Sequence, residues 1–185
     1  MTKSVVVSGP PAVGKTTVAK ALGEKFDLKY ISGGDVLKDI AFECGFNAAG
    51  DDWWDTQDGL KFLQMRSKDD KYDKQVDKKL IDAYQTGGIV MTSYTIPWIA
   101  KGGIKIWLDG SHKISANRMQ SRDGMDVRKA MNISKKRYDG NKTLYRRLYG
   151  FDFGQQSVFD IIIDTDLLDA TSVIAKAQDG VKKLI

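Results

Sequence analysis

Five short apolar runs punctuate the chain, at Ser4–Ser8, Leu28–Ser32, Gly88–Thr92, Ile104–Leu108 and Val158–Ile163. Val5-Val6-Val7 and Ile161-Ile162-Ile163 are continuous rather than alternating, as parallel strands buried on both faces should be. Between the runs lie stretches with helical spacing, near 15–26, 34–45, 56–86, 111–122, 125–148 and 169–184. In the first of these, Val18 and Leu22 share a face with Ala21 and Phe26, which predicts an amphipathic helix. Strands alternating with helices predict an α/β protein whose parallel sheet is covered on both sides.

Two segments depart from that alternation. Residues 40–86 are long and polar, with Trp53-Trp54 near their centre. Residues 123–150 carry Arg128, Lys129, Lys135, Lys136, Arg137, Lys142, Arg146 and Arg147, with few apolar anchors. Both read as insertions projecting from one domain that spans 1–185. A chain of 185 residues suffices for one domain with a sizeable core, and 42% apolar residues is ordinary for a globular protein.

The loop after the first run changes the picture from fold to chemistry. Residues 9–17 read GPPAVGKTT, which places Gly9, Gly14, Lys15 and Thr16 in full P-loop spacing between a strand and a helix. Glycines let backbone N–H groups approach a phosphate chain, and the helix N-terminus adds partial positive charge. Lys15 can reach the outer phosphates, and the Thr16 hydroxyl can ligate a magnesium ion. Gly9, Pro10, Ala12, Val13, Gly14, Lys15, Thr16 and Thr17 are therefore the candidate residues for a nucleoside triphosphate, with Thr16 as the metal ligand.

Composition removes other chemistries. Cys44 is the single cysteine, so no intrachain disulfide or thiolate metal site is available. His112 is the single histidine, so zinc chemistry is poorly supported, and so is a Ser-His-Asp triad unless His112 is its base. The run at Val5 is too short for a secretory signal, and no stretch approaches the roughly 18 apolar residues of a membrane helix. A soluble, cytoplasmic protein is expected. The net charge of +5 suits phosphorylated ligands and nucleic acid alike.

Phosphoryl transfer needs positive charge around the group in transit, and arginine forks match phosphate oxygens. Arg118 and Arg122 stand four apart on one helix face, after an Asp109-Gly110-Ser111 turn. Arg137, Arg146 and Arg147 belong to the second insertion, which reads as a lid closing over phosphates. Tyr138, Tyr145 and Tyr149 among the basic residues leave a second possibility, stacking on single-stranded RNA.

Four stretches, GPPAVGKTTVAKALGEKF, YISGGDVLKDIAFECG, IKIWLDGSHKISANRMQSRDG and the pair LYGFDF and SVFDIIIDT, occur in order and cover nearly the whole chain. Together they resemble the nucleoside monophosphate kinases, and most closely the archaeal-type cytidylate kinases. The resemblance implies a three-layer P-loop kinase fold with strand order 2-3-1-4-5. It implies ATP with Mg²⁺ as donor, CMP or dCMP as acceptor, and a monomer that needs neither membrane nor nucleic acid. It implies that Gly34, Asp35 and Lys38 open the acceptor-binding helix, that Asp77 lies in an acidic acceptor-side helix, and that Asp160 serves the substrate. Lys15, Arg118, Arg122 and Arg137 are the implied catalytic cations.

The departures cluster on the acceptor side. Tyr94 stands where the family pattern has an arginine and Thr92 where it has an acid, so Tyr94 joins the candidate acceptor residues. Lys38 replaces an arginine and Leu80 a glutamine. The segment Asp51-Asp52-Trp53-Trp54-Asp55 has no counterpart in the pattern; its tryptophans form a local core or line a changed pocket. Two alternatives therefore accompany the nucleotide kinase: a P-loop kinase of another small molecule, with Asp35 as base for a hydroxyl acceptor, and a nucleotide- or RNA-binding protein with little transfer activity.

Overall fold

A computed structural model describes residues 2–49, 53 and 56–185, and the side chains of all these except Arg122 and Asp123. Its strands are β1 (Val5–Ser8), β2 (Lys29–Ser32), β3 (Ile89–Thr92), β4 (Ile104–Asp109) and β5 (Ile161–Asp164). They form one parallel sheet in the order β2-β3-β1-β4-β5, the order the resemblance implies. Val5 pairs with Val90 on one side and Ile104 on the other. A central strand covered on both faces has no solvent side, which is why Val5, Val6 and Val7 are all fully buried.

Helices cover both faces. On one, α1 (Lys15–Phe26) and α8 (Ala170–Lys182) pack Val18, Leu22, Val173 and Ala177 against Val5, Val7 and Ile106. On the other, Leu80, Tyr84 and Ile96 cover Val6 and Met91. Those three come from α4 (Lys71–Thr86) and the short α5 (Ile96–Ile99), which the hydrophobic pattern does not predict.

The first insertion differs from expectation in one way that matters later. The predicted helix over 56–86 is two helices, α3 (Gln57–Lys68) and α4, broken at Asp69-Asp70. The Asp69 carboxylate accepts a hydrogen bond from the Lys71 N–H at 3.0 Å, a local turn that competes with helix continuation. With α2 (Gly33–Glu43), these helices enclose a second small core of Leu37, Ile40, Trp53, Phe62 and Tyr72. Trp53 thus belongs to a local core, with its ring 5.8 Å from that of Phe62, while Trp54 and the three aspartates around the pair lie outside the described residues.

The second insertion, expected over 123–150, is α7 (Val127–Tyr149), which follows α6 (His112–Asp123) through a left-handed turn at Gly124. It has more anchorage than its basic composition suggests. Tyr138, Tyr145 and Tyr149 enter an aromatic cluster with Trp107 of β4, Phe153, Phe151 and Trp98, the last two rings stacked at 4.6 Å. These tyrosines pack α7 against the sheet, Tyr145 buried and Tyr138 and Tyr149 partly so. The last strand starts at Ile161 because Gln156–Val158 form a 3-10 turn. No helix among the described residues is long and apolar enough to cross a membrane.

Candidate active site

β1 ends at Ser8, and the chain then turns through positive φ at Gly9, Ala12 and Gly14. A side chain at Gly9 would collide with the Leu108 carbonyl of β4, so glycine is required for the loop to lie against the sheet. α1 starts at Lys15 behind Gly14, a cap with no side chain to bond the first N–H groups of the helix. Those donors and the helix dipole form an anion site.

Lys15 Nζ donates to the carbonyls of Gly9, at 3.1 Å, and of Pro10, at 2.5 Å. Burial holds the Lys15 ammonium below its ordinary pKa; Tyr94 opposes that shift and Arg137 adds to it. An ammonium satisfied only by neutral carbonyls suits an incoming phosphate. Tyr94 holds the other side: Lys15 Nζ sits 5.0 Å from the centre of its ring, and the charges of Lys15 and Arg137 both act on its phenol. Burial alone would raise the Tyr94 phenol, but the two cations overrule it and pull the pKa below the ordinary value.

One cavity of about 1010 Å³ runs from here along the strand ends. Its donor end is formed by Thr16, Thr17, Arg118 and the Leu168–Ala170 turn ahead of α8. Arg118 is clamped there, donating to Thr165 Oγ1 at 2.9 Å and to the Thr165 carbonyl at 2.7 Å. The acceptor end lies toward β2 and β3, walled by Leu37, Leu63, Val76 and Leu80. Ligand pockets run to about 300–1,000 Å³, so this one stands at the top of that range.

Polar groups converge on the acceptor end. Asp77 of α4 accepts hydrogen bonds from Thr95 Oγ1 and from the Tyr149 hydroxyl. Burial raises its carboxyl pKa, and those two bonds pull it part of the way back. Arg66 of α3 forms a two-point ion pair with Asp73 of α4, and the Tyr145 phenol of α7 lies near enough to act on the same guanidinium.

The predicted residues divide clearly. Ala12, Val13, Gly14, Lys15, Thr16, Thr17, Gly34, Asp77, Tyr94, Arg118 and Arg137 line the cavity. Gly9 and Pro10 lie behind the loop and serve it through their carbonyls. Asp35 is exposed in the first turn of α2, where its N–H is capped by Ser32 Oγ, and does not line the cavity. Lys38 is half-buried on α2 and does not line it either. The side chain of Arg122 lies outside the described ones.

Asp160 is a correction. Its carboxylate accepts from the Lys105 N–H at 2.8 Å, at the start of β5. In a parallel sheet the strand starts lie at the edge opposite the P-loop, so Asp160 fastens β5 to β4 and stands away from the cavity. Arg146 and Arg147 are also elsewhere, paired with Asp152 and with Asp70. Asp109 accepts from the Gly110 N–H and from Gln156 Nε2.

Arg66, Asp73, Ser93 and Thr95 line the cavity without having been picked out from the sequence, and Tyr145, singled out there only for stacking on RNA, lines it too. Arg66 and Asp73 lack a motif, and their pairing depends on the break between α3 and α4. The SYT stretch after β3 offered a signal: small hydroxyl residues at a strand end beside a P-loop are placed to bind.

Comparison with known proteins agrees with this architecture. Residues 4–167 match the cytidylate kinase-like family. A cytidylate kinase of Ignicoccus hospitalis is 28% identical over 172 residues, covering 92% of this chain and 94% of that one. A cytidylate kinase of Sulfurisphaera tokodaii is 30% identical over 175 residues, covering 91% and 89%. Among solved structures, a gluconokinase from Sinorhizobium meliloti superposes with a TM-score of 0.58 at 17% identity over 98% of this chain and 93% of its own, a likeness of fold. With a P-loop joined to a second chamber by one continuous cavity, and a match over nearly its whole length, the chain belongs to the cytidylate kinase-like family of phosphotransferases.

Proposed function

We propose that the protein transfers the γ-phosphoryl group of Mg·ATP to a nucleoside monophosphate, with CMP or dCMP as the preferred acceptor. The observation that carries this reading is the two-ended cavity: an open helix N-terminus with Lys15, Arg118 and Arg137 at one end, and a walled chamber with directed polar groups at the other. The names of the relatives support the choice of cytidine nucleotides.

In this scheme Lys15 exchanges the Gly9 and Pro10 carbonyls for phosphate oxygens, and the first N–H groups of α1 hold the inner phosphates. Thr16 is the residue that would hold Mg²⁺. Among the described residues no three His, Cys, Asp or Glu side chains gather into a metal site, which fits an ion bound chiefly by nucleotide oxygens and water. The ion supplies charge neutralisation at the phosphates. Arg118 and Arg137 balance the charge that spreads over the moving group. An acceptor phosphate is already ionised near neutral pH, so no general base is required.

A second reading, a hydroxyl acceptor, draws on Tyr94 in place of a cation at the end of β3. Asp35, the base expected for it, lies outside the cavity; the carboxyl groups facing the chamber are Asp73 and Asp77. Acceptor-dependent ADP release with Mg·ATP across CMP, dCMP, UMP, AMP, GMP and the matching nucleosides separates the two. Turnover with CMP or dCMP supports the proposal. Turnover only with unphosphorylated acceptors refutes it.

A further inference from the structure

A nucleoside monophosphate poses a charge problem at the acceptor end. It brings roughly −1.5 to −2 charges near neutral pH, and β3 is followed by Tyr94 where the resemblance implies an arginine. Lys15, Arg118 and Arg137 gather around the P-loop and Tyr94, where ATP brings its own negative charge. Among the described residues lining the acceptor end there is one cation, Arg66, carried in by the last turn of α3.

Its seat is built from three helices. Nε and Nη2 donate to the two Asp73 oxygens, with the Asp73 side chain only 7% exposed and that of Arg66 22%. Tyr145 of α7 lines the same cavity beside it. A guanidinium carries five N–H donors, so this seat fixes its plane and leaves capacity for an anion. Stability alone is a weak reason for such a pair, because buried ion pairs are often no better than apolar packing. The apolar core around Phe62 lies one turn away on the same helix. Tyr145 also lies close enough to Tyr94 for their charges to interact, and the Tyr94 ring lies 5.0 Å from Lys15 Nζ. Arg66 is therefore two side chains away from the P-loop cation.

Resting on the reading above that the acceptor is a nucleotide, we propose that Arg66 is the cation that binds the acceptor's phosphate, positioned by Asp73 and Tyr145. It takes the part of the arginine missing at position 94. A guanidinium delivered by the insertion makes closure of α3 and α4 a condition for holding the acceptor. It also favours a phosphorylated acceptor over the bare nucleoside.

The test compares Arg66→Lys and Arg66→Met with wild type. It reads KM for CMP, KM for ATP and competitive inhibition by cytidine, which lacks the phosphate. Losing the fork should raise KM for CMP about tenfold in Arg66→Lys, and losing the charge should raise it about a hundredfold in Arg66→Met. KM for ATP and the cytidine inhibition constant should stay within about twofold of wild type. Arg66→Lys keeps a cation beside Asp73, so it decides the matter if Arg66→Met does not fold. An unchanged KM for CMP overturns the proposal. So does a parallel rise in all three constants, which marks a structural pair. A wild-type enzyme silent on every nucleoside monophosphate overturns the underlying nucleotide reading and the role of Arg66 with it. Brisk CMP turnover that is indifferent to Arg66 overturns that role alone.

Discussion

Tyr149→Phe isolates one bond between α7 and α4. Tyr149 stands in the last turn of α7 and donates its hydroxyl to Asp77 of α4. Phenylalanine keeps the ring, which lies parallel to Phe151 at 6.2 Å, and removes only the hydroxyl. Asp77 is then left with the Thr95 hydroxyl. A hydrogen bond to a charged, largely buried group contributes about 1.5–3 kcal/mol. For a chain of this length each kcal/mol is about 2–4 °C in Tm, so a fall of about 3–12 °C is expected near neutral pH.

The loss has a pH dependence of definite sign. Burial raises the Asp77 pKa in the folded state. Such a group contributes stability that is fully present below the unfolded carboxylate value of about 3.9, and that is lost as pH rises through the folded pKa. Removing the Tyr149 hydroxyl withdraws support from the charged form and raises that pKa further. The Tm gap between wild type and variant should therefore be small near about pH 4 and widen toward about pH 8. Thermal unfolding followed by circular dichroism across that range is the assay. A gap that is flat with pH, or under about 1 °C throughout, refutes the account of Asp77 as a buried carboxylate held by Tyr149.

Three further outcomes are expected. Lys15→Met should lower kcat by about a thousandfold while leaving the circular dichroism spectrum unchanged, measured as acceptor-dependent ADP release; near-normal turnover would remove Lys15 from the chemistry. Gly9→Ala places a methyl group against the Leu108 carbonyl at a φ of +146°, so ATP binding by calorimetry should be lost or the chain should fail to fold; a stable variant with normal ATP affinity contradicts the fit of the loop to β4. In ultraviolet titration of the nucleotide-free protein, one tyrosine should ionise below the usual value of about 10, and Tyr94→Phe should abolish that step. Saturating ATP should push the same step upward, because its phosphates compete for Lys15 and Arg137.

What the sequence alone determined was local. Gly9, Gly14, Lys15 and Thr16 act within a single turn of chain, so their spacing is enough to read the phosphate site. Val5-Val6-Val7 declared a central parallel strand because burial on both faces leaves no polar side to interrupt it, whereas Ile161-Ile162-Ile163, read the same way, form the edge strand β5 with Ile162 half exposed. The tertiary structure decided what depends on direction and on breaks. Arg66 and Asp73 are seven residues apart, about 10 Å along an unbroken helix; the turn at Asp69 folds them into contact across two helices. Asp160 adjoins a strand beside the site in sequence, yet the direction of β5 sends it to the opposite edge. The tyrosines of α7 look like a basic helix's decoration until Trp107 and Phe153 are brought against them from β4 and from the loop after α7. Side chains distant in sequence share a chamber only through such packing, so the acceptor end stayed hidden where the donor end did not.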